Sequence, residues 1–518
     1  MTAVTALALA DFRERVRRPA FAVVLLGAVA LGYAAVPPPS ATYAMLRVGA
    51  FRGTYDASYV GTAVALVGGL WLSLAGFYVV KNAVARDEAS KVGQILAATV
   101  LRRPAYLLGK FASNLAVLLV MTAVLALSAL LMLVARGEHD TLDLPALLLP
   151  FLLFPLPVMA IGAAGALVFE TVPALKGAAG NVVWFFGWIV VVSATTTRIG
   201  GFDPLGFASV AESMRPDLLS QHPSATDTEL SAGLVVEEQP APRFDWSGLD
   251  LTAELVSGRL MVVGAAVAIV LLASSWFNRF DAHVGQRRLS SAAVEPAQRP
   301  TNQAFAKVRT PRTAAVIRPR FGALVAGELR ILLGGIRWWW WWWLCGLALA
   351  VAALAAPTRA VTYPLLPLAW LWPVVAWSRL GTQQYEYEVH SLVDTAPARH
   401  RRLAAEWTAG LALTALAGIG PLLRLAAATD WDGVAAWCAA APFIPTLALT
   451  LGVVSRNQRL FQATYLMLWY AVINRTSQVD FMGVSGDDQW RGSALVVAGT
   501  AALAASTLLI KHARHAAR

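Results

Sequence analysis

Apolar runs of about 20 residues recur from one end of the chain to the other, separated by short charged segments. No other feature limits the fold so strongly. A hydrocarbon layer about 30 Å thick takes about 20 apolar residues per helix, and lipid offers nothing to an unpaired backbone amide, so such runs read as membrane helices. Of the 518 residues, 57% are hydrophobic and 14% charged, where a soluble domain carries about 25% charged residues. With a mean hydropathy of +0.58, this excludes a soluble enzyme, a disordered chain and a protein with a single anchor. Cys345 and Cys438 both fall inside apolar stretches, which leaves no disulfide framework and no thiolate metal cluster. The net charge of +11 is carried between the apolar runs. It therefore reads as a topology signal rather than a nucleic-acid footprint, and no nucleic-acid partner is expected.

The expected class is all-α and polytopic, with about twelve transmembrane helices. They fall at 20–35, 59–80, 111–135, 144–169, 177–196 and 260–277, then at 338–356, 362–377, 403–427, 434–454, 460–473 and 494–510. The run at 362–377 is short and carries Pro364, Pro367 and Pro373. It is kept because neighbouring helices can satisfy carbonyls that proline frees. Residues 1–18 end in Asp11-Phe12-Arg13-Glu14-Arg15-Val16-Arg17-Arg18 with no small-residue cleavage site. They predict an amphipathic helix on the cytoplasmic side rather than a cleaved signal peptide.

Charge sets the direction. Arginine and lysine crowd residues 81–110, 278–322 and the tail Lys511-His512-Ala513-Arg514. Acidic residues dominate 198–258, where Arg198, Arg215 and Arg243 are the basic ones. Basic residues are retained on the cytoplasmic side. Both termini and the central linker are therefore expected inside, the acidic loop outside, and the protein as a multi-pass component of the cell membrane.

The pattern occurs twice. After the second run, Arg86-Asp87-Glu88 leads into Val92, Ile95, Leu96 and Thr99, the stripe of an amphipathic helix, closed by Arg102-Arg103-Pro104. After the eighth run, Glu386-Tyr387-Glu388 leads into Val389, Leu392, Val393 and Ala396, closed by Pro397 and Arg399. Asp11-Phe12-Arg13 before the first run matches Glu328-Leu329-Arg330 before the seventh. This predicts two tandem halves of about six spans, 1–277 and 323–518, joined by a basic cytoplasmic linker at 278–322.

Arg86-Asp87-Glu88, then Gly93, Ile95-Leu96 and Tyr106-Leu107-Leu108-Gly109-Lys110, resemble the loop before the third helix of ATP-binding-cassette type-2 permeases. The match is good over 81–135. It is fainter over 379–427, where His390 stands in place of Gly93 and the closing Gly-Lys is absent. The resemblance implies the transmembrane subunit of an ATP-driven exporter, built as a fused pseudo-dimer without enzymatic activity of its own. Two separate ATPase subunits would carry ATP and Mg. Segments 86–103 and 386–402 would serve as coupling helices, with apolar stripes against the bundle and Arg86, Asp87, Glu88, Glu386, Glu388 and Arg399 toward the ATPases. The coupling set also includes Gly93, Ile95, Leu96, Arg102, Leu392 and Val393, and the links 170–176 and 455–459 would add smaller contacts. No G-x-x-x-x-G-K-[ST] loop exists, since Gly109-Lys110 is followed by Phe111 and lacks the upstream glycine. Any triphosphate site then lies on a partner.

Charged groups inside the spans are few. Glu406 and Arg424 lie near helix ends where snorkelling serves, and Asn114 and Asn181 read as interhelical hydrogen-bonding groups. Such spans suit a hydrophobic or amphipathic cargo (a lipid, peptide or natural product). The alternative is an ion-coupled carrier of major-facilitator type; against it, 81–110 lacks Gly-x-x-x-Asp-Arg-x-Gly and 198–258 is too long. A membrane-embedded glycosyltransferase would want acids in the first outer loop, where Asp56 stands alone. Trp338–Trp343 reads as an interfacial anchor.

Overall fold

The computed structural model describes residues 2–17, 19–139, 142–196, 203–236, 239–277, 321–334, 339–386, 389, 399–475, 480–484 and 489–516. The chain divides into two units, Met1–Ala293 and Val294–Arg518. The linker expected at 278–322 lies outside the described residues except for 321 and 322.

In the first unit the elements are α1 (Ala3–Val16), α2 (Pro19–Ala35), β1 (Tyr43–Val48), β2 (Arg52–Gly53), α3 (Ala57–Ala63) and α4 (Gly69–Val80). A π-helical turn, Val64–Gly68, joins α3 to α4. Next come α5 (Ala83–Ala89), α6 (Val92–Ala97), α7 (Arg103–Arg136), α8 (Leu144–Leu153), α9 (Pro155–Thr171) and α10 (Ala178–Thr196). The unit ends with α11 (Phe207–Gln221), β3 (Leu230–Val236), β4 (Arg243–Phe244) and α12 (Ala253–Trp276). The long α7 is the central post: α1, α2, α9 and α12 pack on it, and α9 also receives α4 and α12. Small residues set these approaches, as expected where helices meet in lipid. A β-carbon added at Gly32 would lie 2.4 Å from Ser128 Cβ, and one at Gly76 would lie 2.7 Å from Leu118 Cδ2.

Part of the acidic segment 198–258 folds as a cap. β1 pairs antiparallel with β3, and β2 pairs parallel with β4. Ala44, Leu46 and Val48 point inward in alternation along β1, the two-residue period of a half-buried strand. Glu138, just beyond α7, ties the cap down. Its carboxylate accepts a bidentate pair from Arg52 at 2.7 and 2.9 Å, a bond from Arg243 at 3.1 Å and the Tyr55 N–H at 2.9 Å. Burial raises its pKa, but the bonds from Arg52, Tyr55 and Arg243 outweigh this and bring it down to about 2. These strands depart from the all-helical expectation; the other described residues are mostly helical.

The second unit contains α13 (Phe321–Gly334), α14 (Trp339–Ala355), α15 (Arg399–Ala417), α16 (Ile419–Ala427), α17 (Trp431–Ser455), α18 (Gln458–Ile473) and α19 (Gln489–Ala516). Its packing follows the first unit: α13 lies on α15 as α1 lies on α7, α15 packs on α17, and α17 on α19. The side chains of Trp338–Trp342 lie outside the described residues.

Among the described residues six helices are long and apolar enough to cross a membrane, or seven if the bent pair Arg401–Ala417 and Ile419–Ala427 is one span. Ala253–Trp276 and Gly492–Lys511 leave most of their apolar surface uncovered within the chain, which suits lipid rather than water. Apolar helices at Val24–Ala35, Ala178–Ser193 and Trp343–Ala355, where the first, fifth and seventh spans are expected, are shorter. The run at 362–377 is not one helix. A π-turn Val361–Leu365 and the short helices Leu366–Ala369 and Val374–Trp377 replace it, because proline lacks the amide and crowds the preceding turn. Side chains of α18 satisfy carbonyls in this broken stretch: Tyr465 Oη donates to Trp370 O at 2.6 Å and Trp469 Nε1 to Pro367 O at 2.8 Å. Tyr465→Phe leaves a buried carbonyl without its donor and should lower stability by about 1–3 kcal/mol, read as a lower thermal midpoint of the purified protein. An unchanged midpoint would show that the hydroxyl is dispensable.

Candidate functional site

The segment that links α4 to α7 carries the residues singled out in the first half, and it is built around buried charge. Asp11, on the inward face of α1, is the hub. It receives Lys110 Nζ at 2.9 Å and Ser113 Oγ at 2.6 Å from α7, Arg15 Nη2 at 2.8 Å from its own helix, and Arg86 Nη2 at 3.4 Å from α5. Lys110 also donates to Asp87 at 2.9 Å, and Tyr106 Oη donates to the other oxygen of Asp87 at 2.7 Å. Gly109 makes the contact possible, since a β-carbon there would lie 2.8 Å from Leu7 Cδ2 of α1. The Gly109-Lys110 pair thus provides the close approach and then the charge that holds it.

A second charged pair braces the same segment. Glu170, at the end of α9, is 3% exposed. Its two oxygens accept the N–H groups of Asn82 at 2.6 Å, Ala83 at 2.9 Å, Val84 at 2.7 Å and Ala85 at 3.1 Å. These amides have no acceptor within the helix that they begin. Asn82 adopts a left-handed conformation (φ 77°) that turns the chain out of α4. Lys81 reaches the opposite way, to Asn181 Oδ1 at 2.6 Å and Leu175 O at 3.2 Å, between the Phe77 and Phe169 rings.

The expected amphipathic helix 86–103 is two short helices. α5 ends where Ser90 Oγ donates to Arg86 O at 2.8 Å, and Lys91 is left-handed (φ 61°) before α6. Its polarity is reversed from expectation: Arg86 and Asp87 turn inward to Asp11, Lys110 and Tyr106. Gly93 is buried and Leu96 half-buried, while Val92 is 42%, Ile95 68% and Val100 102% exposed. Glu88 is exposed and pairs with Lys176 at 3.2 Å, and Arg102 is exposed at the start of α7.

In the second unit Glu328 takes the place of Asp11, accepting Arg402 Nε at 3.0 Å. Gly381 is left-handed (φ 73°), as Asn82 is, and its N–H donates to Glu406 at 2.5 Å. Glu406 is therefore a buried acceptor rather than a snorkelling group, and Arg424 donates to Ala356 O at 2.9 Å at the end of α14. Glu386 accepts Gln458 Nε2 at 2.7 Å, which parallels Glu88 and Lys176. Arg399 begins α15, while Glu388, Leu392 and Val393 lie outside the described residues. Among the described residues no group of three or more His, Cys, Asp or Glu is placed to hold a metal.

Glu170, Lys81 and Asn181 act together although they lie far apart in sequence. A lone glutamate closing an apolar run and a lysine closing another were the available signals. Comparison with family models, with curated proteins and with solved structures gave no match to this chain.

Burial raises the pKa of Asp11, but Arg15, Lys110 and the bond from Ser113 overcome this and leave it below the ordinary carboxylate value. Its contribution is therefore present above the unfolded value of about 4 and lost as pH falls through the lower folded value. Asp11→Asn leaves Arg15 buried beside a neutral group and Lys110 with Asp87 as its remaining carboxylate, and should cost about 3–5 kcal/mol at neutral pH. The gap between wild-type and variant melting temperatures should narrow below about pH 4; a gap independent of pH would refute this.

Proposed function

We propose that this chain is the transmembrane subunit of an ATP-driven exporter of the ATP-binding-cassette type-2 kind, with about twelve spans in two halves. Both termini lie in the cytoplasm, and the cell membrane is the site of action. Separate ATPase subunits, two per chain, supply ATP and Mg and dock beneath the segments that follow the second span of each half. The observation that carries this reading is that each half braces that segment in a related way. In each, a left-handed residue leaves the second span with its N–H on a buried carboxylate. In each, an acid of the segment (Glu88 or Glu386) meets a donor in the link between the fourth and fifth spans (Lys176 or Gln458).

In the first half, the inward charges leave an outward surface of Val92, Ile95 and Val100 flanked by Glu88, Lys91, Arg102 and Arg103. Apolar side chains ringed by charge at a loop tip suit a protein partner. An exporter driven this way needs no titrating group along its path, and the cargo that fits spans so poor in charge is hydrophobic or amphipathic. The cap over the other end of the first unit then lies outside.

The test is co-expression with an ATPase encoded beside this chain. Purification should yield two ATPase subunits per chain. Val92→Asp with Ile95→Asp should cut recovery of the ATPase by about tenfold or more, since each buried aliphatic side chain contributes about 1.5–3 kcal/mol. An undiminished complex would refute the docking surface, and cargo transport driven by an ion gradient with no ATPase present would overturn the reading.

A further inference from the structure

The charged brace behind α5 has a crossed form. The end of α4 sends Lys81 to the link that follows α9, and the end of α9 sends Glu170 to the amides that follow α4. Each charge meets backbone groups of the opposite sign: the carboxylate sits on the N–H groups opening a helix, and the ammonium on carbonyls of Leu175 and Gly177. Both residues are 3% exposed. Lost contacts here cannot be replaced readily by water, so releasing either side strands a buried charge.

The second unit makes the same junction by close packing. A β-carbon at Gly452 in α17 would lie 2.1 Å from Leu380 O, and one at Gly381 would lie 2.9 Å from Leu449 O. Gln462 Nε2 donates to Ser378 Oγ at 3.0 Å and Arg456 lies over the Tyr385 ring at 5.0 Å. Different chemistry thus holds the same two places together in both units.

We propose that Glu170 and Lys81 are positioning residues that make α5 and the 172–177 link one mechanical body. A load applied to the α5–α6 segment then moves the ends of α9 and α10 directly, without travelling through α7. The coupling is a property of this chain alone; its use as the route of ATPase drive rests on the function proposed above.

The experiment is hydrogen exchange on the full chain in lipid nanodiscs, without any partner. Ala85→Gly loosens α5 while keeping its N–H groups. With Glu170 intact, exchange should rise several-fold both at 83–89 and at 172–177. Glu170→Gln alone should speed exchange of the 82–85 amides by about tenfold, the loss expected for bonds to a charged acceptor. In the Glu170→Gln background, with Glu88→Gln present throughout to remove the exposed pair to Lys176, Ala85→Gly should no longer change the link, a non-additivity that a merely local destabilisation would not give. Lys81→Gln should likewise uncouple the two segments and serves if Glu170→Gln fails to fold. Unchanged protection at 82–85, or undiminished spread to 172–177 in either variant, overturns the proposal. Failure of ATPases to bind would sink the functional reading and leave this coupling standing.

Discussion

Charge removed from both water and lipid must find partners inside the protein, and the first unit is organised around that requirement. A carboxylate placed where a helix begins can take the amides that the helix itself leaves open, at little cost in side-chain order. Glu170 does this for α5, and its burial is tolerable because four N–H groups converge on it. Asp11 solves the same problem with side chains rather than backbone, gathering Lys110, Arg15, Arg86 and Ser113. The position of α1 on α7, the turn out of α4 and the exposure of α6 all follow from where these two acids lie. An apolar core made only of interchangeable leucines and alanines would not fix those positions so narrowly.

Related tasks are carried out with different residues in the two units. Asp11 and Glu328 occupy matching helices and both face a base on the long helix behind them, yet Lys110 lies one turn deeper than Arg402. The carboxylate that receives the left-handed residue comes from α9 in one unit and from α15 in the other. What is shared is therefore a requirement on the backbone: an amide exposed by a sharp turn at the end of an apolar stretch needs an acceptor, and any nearby acid can provide one.

The sequence made the helical class and the apolar runs readable, because periodicity and charge are local. It placed Asp11 and Glu328 in matching positions, and it marked Gly109-Lys110 as special. It did not reveal that Arg86 and Asp87 face inward, because an amphipathic stripe says only that two faces differ, and Lys110 lies too far along the chain to be paired with Asp87 by spacing. Ser90 and Lys91 break the helix through a side-chain bond and a left-handed turn, neither of which has a strong signature in a run containing no proline. The pairing of residues 43–53 with 230–244 is long-range, and so is the convergence of Arg52 and Arg243 on Glu138.

The proline-rich stretch between α14 and α15 has one more consequence. Elsewhere, moving a membrane helix means sliding an intact cylinder whose internal bonds travel with it. Here Trp370 O and Pro367 O are held by the tyrosine and tryptophan of a neighbour. Releasing those two bonds uncovers two carbonyls while the short turns of this stretch keep their own bonds, such as Trp370 N–H to Leu366 O and Trp377 N–H to Pro373 O, both at 3.1 Å. This part of the bundle is thus a joint whose motion is priced in individual side chains rather than in whole helices.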